Sequence, residues 1–462
     1  MIIIPANSTS SAFEVANSCM FNSADSAYLS RTPSSAGNRR TYTGSVWVKR
    51  SKLDTFNFIF DSDNGTAQSQ NLLFGFVNQT LVSSSIYNQG TGATVSDVPT
   101  SAVFRDTSAW LHLCVAVDTT QSTASDRIKV YVNGTQITSF GSTTYMTQNY
   151  ETGINATCPH SIGRWQDDGS RHFDGYLAEF VFIDGTALDP TSFGEFDEDS
   201  PTIWKPKAIS GLTFGTNGFY LDFKDSSALG NDVSGNNNDF TSNNLAATDS
   251  STDTPTNNFC TMSPLWNFAS NVTLSEGNCK IVSSGSWSSA GATIGLTAGK
   301  WYYEVKMTTL PGGGGNGRIG FFDSEVTHTS GRIFEQTNGA TYFYNNDGGE
   351  TQIDNSVTTA DYGEVAQGGI LGVALNMDDK QVTFYDDNVA IITNLALSTN
   401  GTSGIVIPSS AIHTETQEYN FGNPPYSLTS AASDENGYGN FEFAPPSGYL
   451  AICSKNLGSD GG

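Results

Sequence analysis

The chain has 462 residues and a formal net charge of −25, with 21 Lys and Arg against 46 Asp and Glu. Such a length can fill two separate cores. Such a charge repels phosphate backbones and bare anionic membranes, so neither nucleic acid nor a lipid surface is an expected partner. Glycine counts 47 and aromatic residues make up 11%. Those figures fit a β-protein with many tight turns and argue against a disordered chain.

The opening MIIIPANSTS has no basic region and no apolar stretch of signal-peptide length. No apolar run approaches a membrane span. The expectation is a protein made in the cytosol without a secretion signal. Cys19, Cys114, Cys158, Cys260, Cys279 and Cys453 lie far apart, with no CxxC and no zinc spacing. Cys114 sits inside the apolar run LHLCVAV, where a buried free thiol is expected.

The first half reads as strands. TYTGSVWVKR, NFIFDSDNG, NLLFGFV, AWLHLCVAV, RIKVYVNGTQI, HSIGRW and HFDGYLAEFVFIDG follow one another. Leu111, Leu113, Val115 and Val117 alternate with His112, Cys114 and Ala116, which predicts a central strand covered on both faces. Asn133-Gly134 between two strands predicts a hairpin, because both central residues of a type I′ turn need positive φ. Leu188 to Phe196 reads as one short helical turn, and Pro201 and Pro206 mark a boundary. Residues 208–264 form an Asn/Gly/Ser-rich connector. Its Phe219, Leu221, Phe223, Phe240 and Leu245 should pack it on a domain.

Farther along, GKWYYEVKM, NGRIGFFDS and GGILGVALNMDDKQVTFYDDNVAI give three more alternating strands. Trp301, Tyr303 and Val305 share one face, as do Leu371, Val373, Leu375 and Met377. The last strand falls at Glu418–Gly422, and GNFEFAPPSGYLAICSKNL reads as an extended tail.

The order W.H.V, KVYVNG, IG, F.G.LAEF, over roughly Tyr28 to Asp184, resembles a laminin-G-like domain of the concanavalin A-like group. The strands WYYEV, IGF and GVALNM…VTFY resemble a SPRY domain, which is a binding module. Together they imply an all-β chain of two tandem concanavalin A-like jelly-roll β-sandwiches. The expected division is a laminin-G-like sandwich at 1–207, the connector at 208–264, a SPRY-like sandwich at 265–422 and the tail at 423–462. The connector FYLDFKDSSALGNDVSGNNNDF, the marker DTPTNNFCTMSPL and the PPSGYLA…KNL tail resemble structural proteins of tailed marine bacteriophages, some of them tail fibres or adhesins. That resemblance implies a virion-surface protein that contacts other virion proteins and recognises a host-surface glycan or protein. It also implies a homo-oligomer, a trimer before other states. The alternatives are a purely structural virion subunit (capsid decoration or tail scaffold) and a secreted bacterial lectin. Ile2–Ile4 and Ala444–Pro446 are the expected docking segments.

No catalytic residues are expected. Glycosidases of the laminarinase type carry E-x-D-x-E or E-x-D-x-x-E on one strand. The nearest motif here is Glu195 to Ser200, where Asp199 or Ser200 stands in place of the second Glu. It reads as a solvated acidic cap. No cofactor is required. Calcium is the one candidate, at Asp61 and Asp63 beside Asn64-Gly65, though no carboxylate follows at the twelfth position of an EF-hand. Two loops combine aromatic and amide or acid groups, as sugar recognition uses. One holds Trp165, Asp167 and Asp168; the other holds Tyr342, Tyr344 and Asn346. The competing reading makes Trp165 and Tyr344 core or hairpin residues.

Overall fold

The computed structural model describes residues 13–53, 56–63, 70–88, 91–167, 169–267, 272–283, 285, 287–310, 317–326, 332–345, 348–358 and 360–460. The chain is nearly all β, in two compact units that divide between Thr256 and Asn257.

In the first unit the strands are β1 (Ser18–Phe21), β2 (Tyr28–Arg31), β3 (Thr41–Arg50), β4 (Phe56–Asp63), β5 (Gln70–Val77), β6 (Thr80–Asn88), β7 (Ala93–Val103), β8 (Leu111–Asp118), β9 (Ile128–Val132), β10 (Thr135–Gln136), β11 (His160–Ile162), β12 (Gly175–Asp184), β13 (Gly194–Phe196), β14 (Trp204–Pro206), β15 (Phe219–Leu221), β16 (Thr241–Asn243) and β17 (Ser250–Ser251). One sheet has the order β10-β9-β8-β3-β12-β1-β17, with β15 also on β12. The facing sheet runs β16-β2-β11-β4-β5-β6-β7. Both sheets feed one core, in which Val46, Leu113 and Phe180 meet Phe60, Phe74 and Ile162. Period-two alternation makes this possible: each strand turns one set of side chains inward.

β8 is interior to its sheet and covered on both faces. Leu113, Val115 and Val117 enter the core, while Cys114 packs with Val181 and Phe193 on the other side. At the β9–β10 hairpin Asn133 and Gly134 have φ of 47° and 74°, as a type I′ turn requires. A Cβ on Gly134 would also lie 2.3 Å from the Trp204 ring. The helical turn is confined to Pro190–Ser192 and capped by Asp189; Gly194–Phe196 is a strand paired with β14.

The prolines at 201 and 206 do not end the first unit. Trp204 lies under the Gly134 turn, and β15 adds Phe219 and Leu221 to the core with Phe223 and Phe240. Asp253, inside the DTPT marker, is fully buried. It accepts from Lys49 Nζ at 2.6 Å and from Trp110 Nε1 at 2.9 Å. The connector is thus a layer of the first sandwich, because its aromatic residues supply apolar area that the sheets leave uncovered.

In the second unit β18 (Met262–Asn267), β19 (Val272–Ser275), β20 (Lys280–Ser283), β21 (Ser288–Ala292), β22 (Lys300–Thr309), β23 (Arg318–Asp323), β24 (Ala340–Tyr344), β25 (Glu350–Ile353), β26 (Ser356–Thr358), β27 (Ile370–Asn376), β28 (Gln381–Asp386), β29 (Val389–Ala396), β30 (Val406–Ile412), β31 (Thr416–Asn420) and β32 (Leu450–Ala451) form two further sheets. Their orders are β18-β21-β30-β23-β24-β25-β26 and β19-β20-β31-β22-β27-β28-β29, with β32 parallel to β22. Trp301, Tyr303 and Val305 face the core; Tyr302 faces outward, and the tail covers it.

The tail is not a free docking arm. Phe441, Ala451 and Cys453 pack on Tyr302 and Phe259, and the chain closes in the short helix α1 (Ser454–Asp460). Glu304, fully buried, accepts from Glu442 N at 2.9 Å, Phe443 N at 2.8 Å, Asn420 Nδ2 at 3.0 Å and the Tyr302 hydroxyl at 3.2 Å. Asp434 accepts from Asn436 N, Tyr438 N, Ala451 N and Asn456 Nδ2. Ile2–Ile4 lie outside the described residues.

Candidate functional site

The first unit carries a groove of about 480 Å3 on the face of β4-β5-β6-β7 turned away from the core. Its floor follows from strand register. Phe58 pairs with Gly75, Gly75 with Val82, and Val82 with Pro99, so one row crosses four strands. Asp61, Leu72 and Ser85 make a second row. A bulge between Phe58 and Phe60 lets Ile59 and Phe60 both enter the core while Phe58 and Asp61 stay on the groove side. Gly75 is the low point of the trough. A Cβ there would stand 2.6 Å from Phe58 Cδ1.

The loop after β11 closes one end. Trp165 N donates to Ser170 O at 2.9 Å, and Phe173 N donates to Gly163 O at 2.8 Å. Gln166 N donates to Asp61 Oδ2 at 2.9 Å and so pins the loop to β4. Trp165 then lies on Phe58, with ring centroids 4.7 Å apart. The Arg171 guanidinium lies 3.5 Å from the centre of the Trp165 ring and 4.7 Å from that of Phe56. Burial, opposed by the Gln166 N–H and reinforced by Asp63, pushes the Asp61 carboxyl well above the usual carboxylate range. At the β7 end burial raises Asp97, which Ser85 hydrogen-bonds.

One groove side chain holds a buried N–H donor with no partner among the described residues: Trp165 through Nε1. An unmet buried donor costs about 1–3 kcal/mol, so such groups mark a place for a ligand or ordered water.

Of the residues expected from sequence, Trp165 lines this groove, Asp167 is exposed on the same loop, and Asp168 is outside the described residues. Asp61 is a groove residue and Asp63 is buried at the end of β4; Asn64 and Gly65 are outside the described residues. Among the described residues no cluster of three metal-binding side chains occurs. The second expected loop does not form a comparable site. Tyr342 is a core residue at 0% exposure, with its hydroxyl 2.8 Å from Ser409 Oγ, so no ligand reaches it. Tyr344 stacks on the Arg318 guanidinium at 3.8 Å, and Asn346 is outside the described residues. Glu195 is exposed on the β13–β14 hairpin, and Asp197 is occupied by Asp199 N, Ser200 N and Lys205 Nζ. His112 is a satisfied core residue, as discussed below. Sequence reading missed Gly75 and Arg171. Only pairing register and the bulge bring them to the groove, although an Arg six residues from a loop Trp was a usable signal.

Residues 22–191, which contain the groove, match the Laminin_G_3 family, described as the concanavalin A-like lectin/glucanases superfamily. Residues 300–424 match the SPRY domain family. Both domains are therefore found in the chain. Among solved structures, the SPRY domain of human HERC1 is 13% identical over 34% of this chain and 96% of its own, at a TM-score of 0.29. The PSpry domain of TRIM65 is 12% identical over 35% of this chain and 88% of its own, at 0.29. A candidate carbohydrate binding protein from Bacteroides ovatus is 14% identical over 50% of this chain and 59% of its own, at 0.33. No curated protein matches the sequence.

Proposed function

We propose that the chain is a non-enzymatic recognition protein whose first unit binds a glycan in the groove beneath Trp165. The observation that carries this reading is the groove itself: an apolar row floored by Phe58 and Gly75, an aromatic lid, and a buried indole donor without a partner. Aromatic faces stack on the apolar sides of sugar rings while amide and indole N–H groups meet hydroxyl oxygens. The groove volume falls in the range of small-ligand sites. The match to a lectin and glucanase superfamily over the same residues supports it. The wider setting proposed is a virion surface, as a tail-fibre or adhesin-type protein working as a trimer. The resemblance of the connector and marker supports that setting.

A glycan array probed with the full chain tests the binding. The expected result is retention of at least one glycan class, with Trp165→Ala lowering affinity at least tenfold while the melting profile stays cooperative. No bound glycan, or binding indifferent to Trp165→Ala, would remove the reading. Antibody labelling of purified particles and mass photometry of the free protein test the setting and the trimer.

A further inference from the structure

The groove is chemically lopsided. Among the described residues Arg171 is the one cation that lines it, and it has no ion pair with any of them. Its guanidinium is held flat between Trp165 and Phe56, a posture that leaves the planar N–H edge free for two parallel hydrogen bonds. The unpartnered buried polar atom beside it, Trp165 Nε1, is a donor too. At the Trp165 end of the groove the groups without a partner are therefore donors, one of them charged. Asp97, with Ser85, belongs to the β6–β7 side, three strand spacings from β4, or about 14 Å. Its repulsion at the β4 end is weakened by distance and salt. Asp61 is nearer, but its carboxyl is buried and engaged by Gln166 N.

Resting on the glycan reading above, we propose that the Arg171 end of the groove takes an anionic sugar unit, a uronate carboxylate or a sulfate ester. The hydroxyls of the neighbouring unit point toward Asp97 and Ser85. Arg171 forks onto the anion, while Trp165 Nε1 donates to an oxygen of the same or the adjoining ring. Arg171 is thus the group that selects acidic over neutral glycans.

Titration calorimetry on the full chain tests this with three probes: an oligouronate trisaccharide, a sulfated galactan tetrasaccharide and a neutral β-glucan oligosaccharide. One or both acidic probes are expected to bind at least tenfold more tightly than the neutral one. Which of the two binds assigns carboxylate or sulfate. Arg171→Gln should lower affinity for that probe at least tenfold, and for the neutral probe by a clearly smaller factor. Arg171→Lys should recover part of the loss, and Trp165→Phe, which keeps the stack and removes the N–H, should weaken binding several-fold. Carboxyl reduction or desulfation of the probe should match the loss from Arg171→Gln. Binding of the neutral probe alone, sensitive to Trp165→Ala, would overturn this inference and leave the glycan reading standing. Binding of an acidic probe indifferent to Arg171→Gln would overturn it as well. Failure of all three probes and of the array would overturn both.

Discussion

His112 shows how a single side chain carries the outer face of the first unit. It is fully buried, with Nδ1 accepting from Trp204 Nε1 at 3.0 Å and Nε2 facing Ser45 Oγ at 2.8 Å. Since Nδ1 must accept, the proton resides on Nε2, which donates to the serine. The ring stacks on Trp204, at 5.8 Å between centroids, and lies 4.9 Å from Trp47. Burial holds its pKa down to about 3. Because the folded protein resists protonation here, the stabilisation is complete above the ordinary histidine value of about 6.5. It is lost as pH falls from there toward 3. His112→Gln should cost about 1–3 kcal/mol at pH 7, where hydrogen bonds and packing are lost. It should also flatten the decline of melting temperature between pH 7 and pH 4. A pH series of thermal melts on parent and variant checks both. An unchanged acid slope would show that other groups, such as His160 with its pKa lowered to about 4, dominate.

At the scale of elements, the groove depends on one missing side chain in β5. Gly75→Ala places a methyl 2.6 Å from the Phe58 ring and 3.1 Å from Leu72, so Phe58 must lift into the trough. The expected outcome is at least a tenfold loss of glycan affinity with about 1–3 kcal/mol of lost stability. Denaturant melts beside calorimetry check this. Retained affinity would mean that the ligand rests elsewhere. The strands of both sandwiches were legible because period-two alternation is local: β8 and β22 are readable from eight or ten consecutive residues. The Asn133-Gly134 turn was legible because its chemistry is local too. The groove was not. Phe58, Gly75, Val82 and Pro99 stand on four strands, and a bulge at Phe58 breaks the alternation that would have marked its outward face. Trp165 was found by its residue type. Tyr342 was misplaced by the same rule, because an aromatic in an amide-rich stretch looks alike whether its strand turns it in or out. The connector's polar composition hid its role as a layer, since the aromatic and aliphatic residues that do the packing, such as Phe219, Leu221, Phe223, Leu229 and Phe240, are scattered among polar ones.

For the molecule as a whole, six cysteines and no disulfide define its redox chemistry. All six thiols are buried. Burial pushes Cys158 up to about 11 and Cys453 up to about 12, and raises Cys19 and Cys114 as well. The reactive species is the thiolate, so these groups are inert in the native state. Ellman's reagent should label none of them in native buffer and six after denaturation. A thiol that reacts natively would show that one of the two cores opens readily.

The clasp at Glu304 has a consequence for synthesis on the ribosome. β22 receives its outer cover only when Leu450 and Ala451 arrive, some 150 residues after Trp301. Until then Tyr302 lacks the cover of Phe441 and Ala451, and Glu304 lacks two of its four donors, the backbone N–H groups of Glu442 and Phe443. A nascent chain paused anywhere between residues 422 and 441 would hold a nearly finished sandwich with an open carboxylate on its outside. The outer cover of β22 is therefore the last part of the second unit that synthesis makes available.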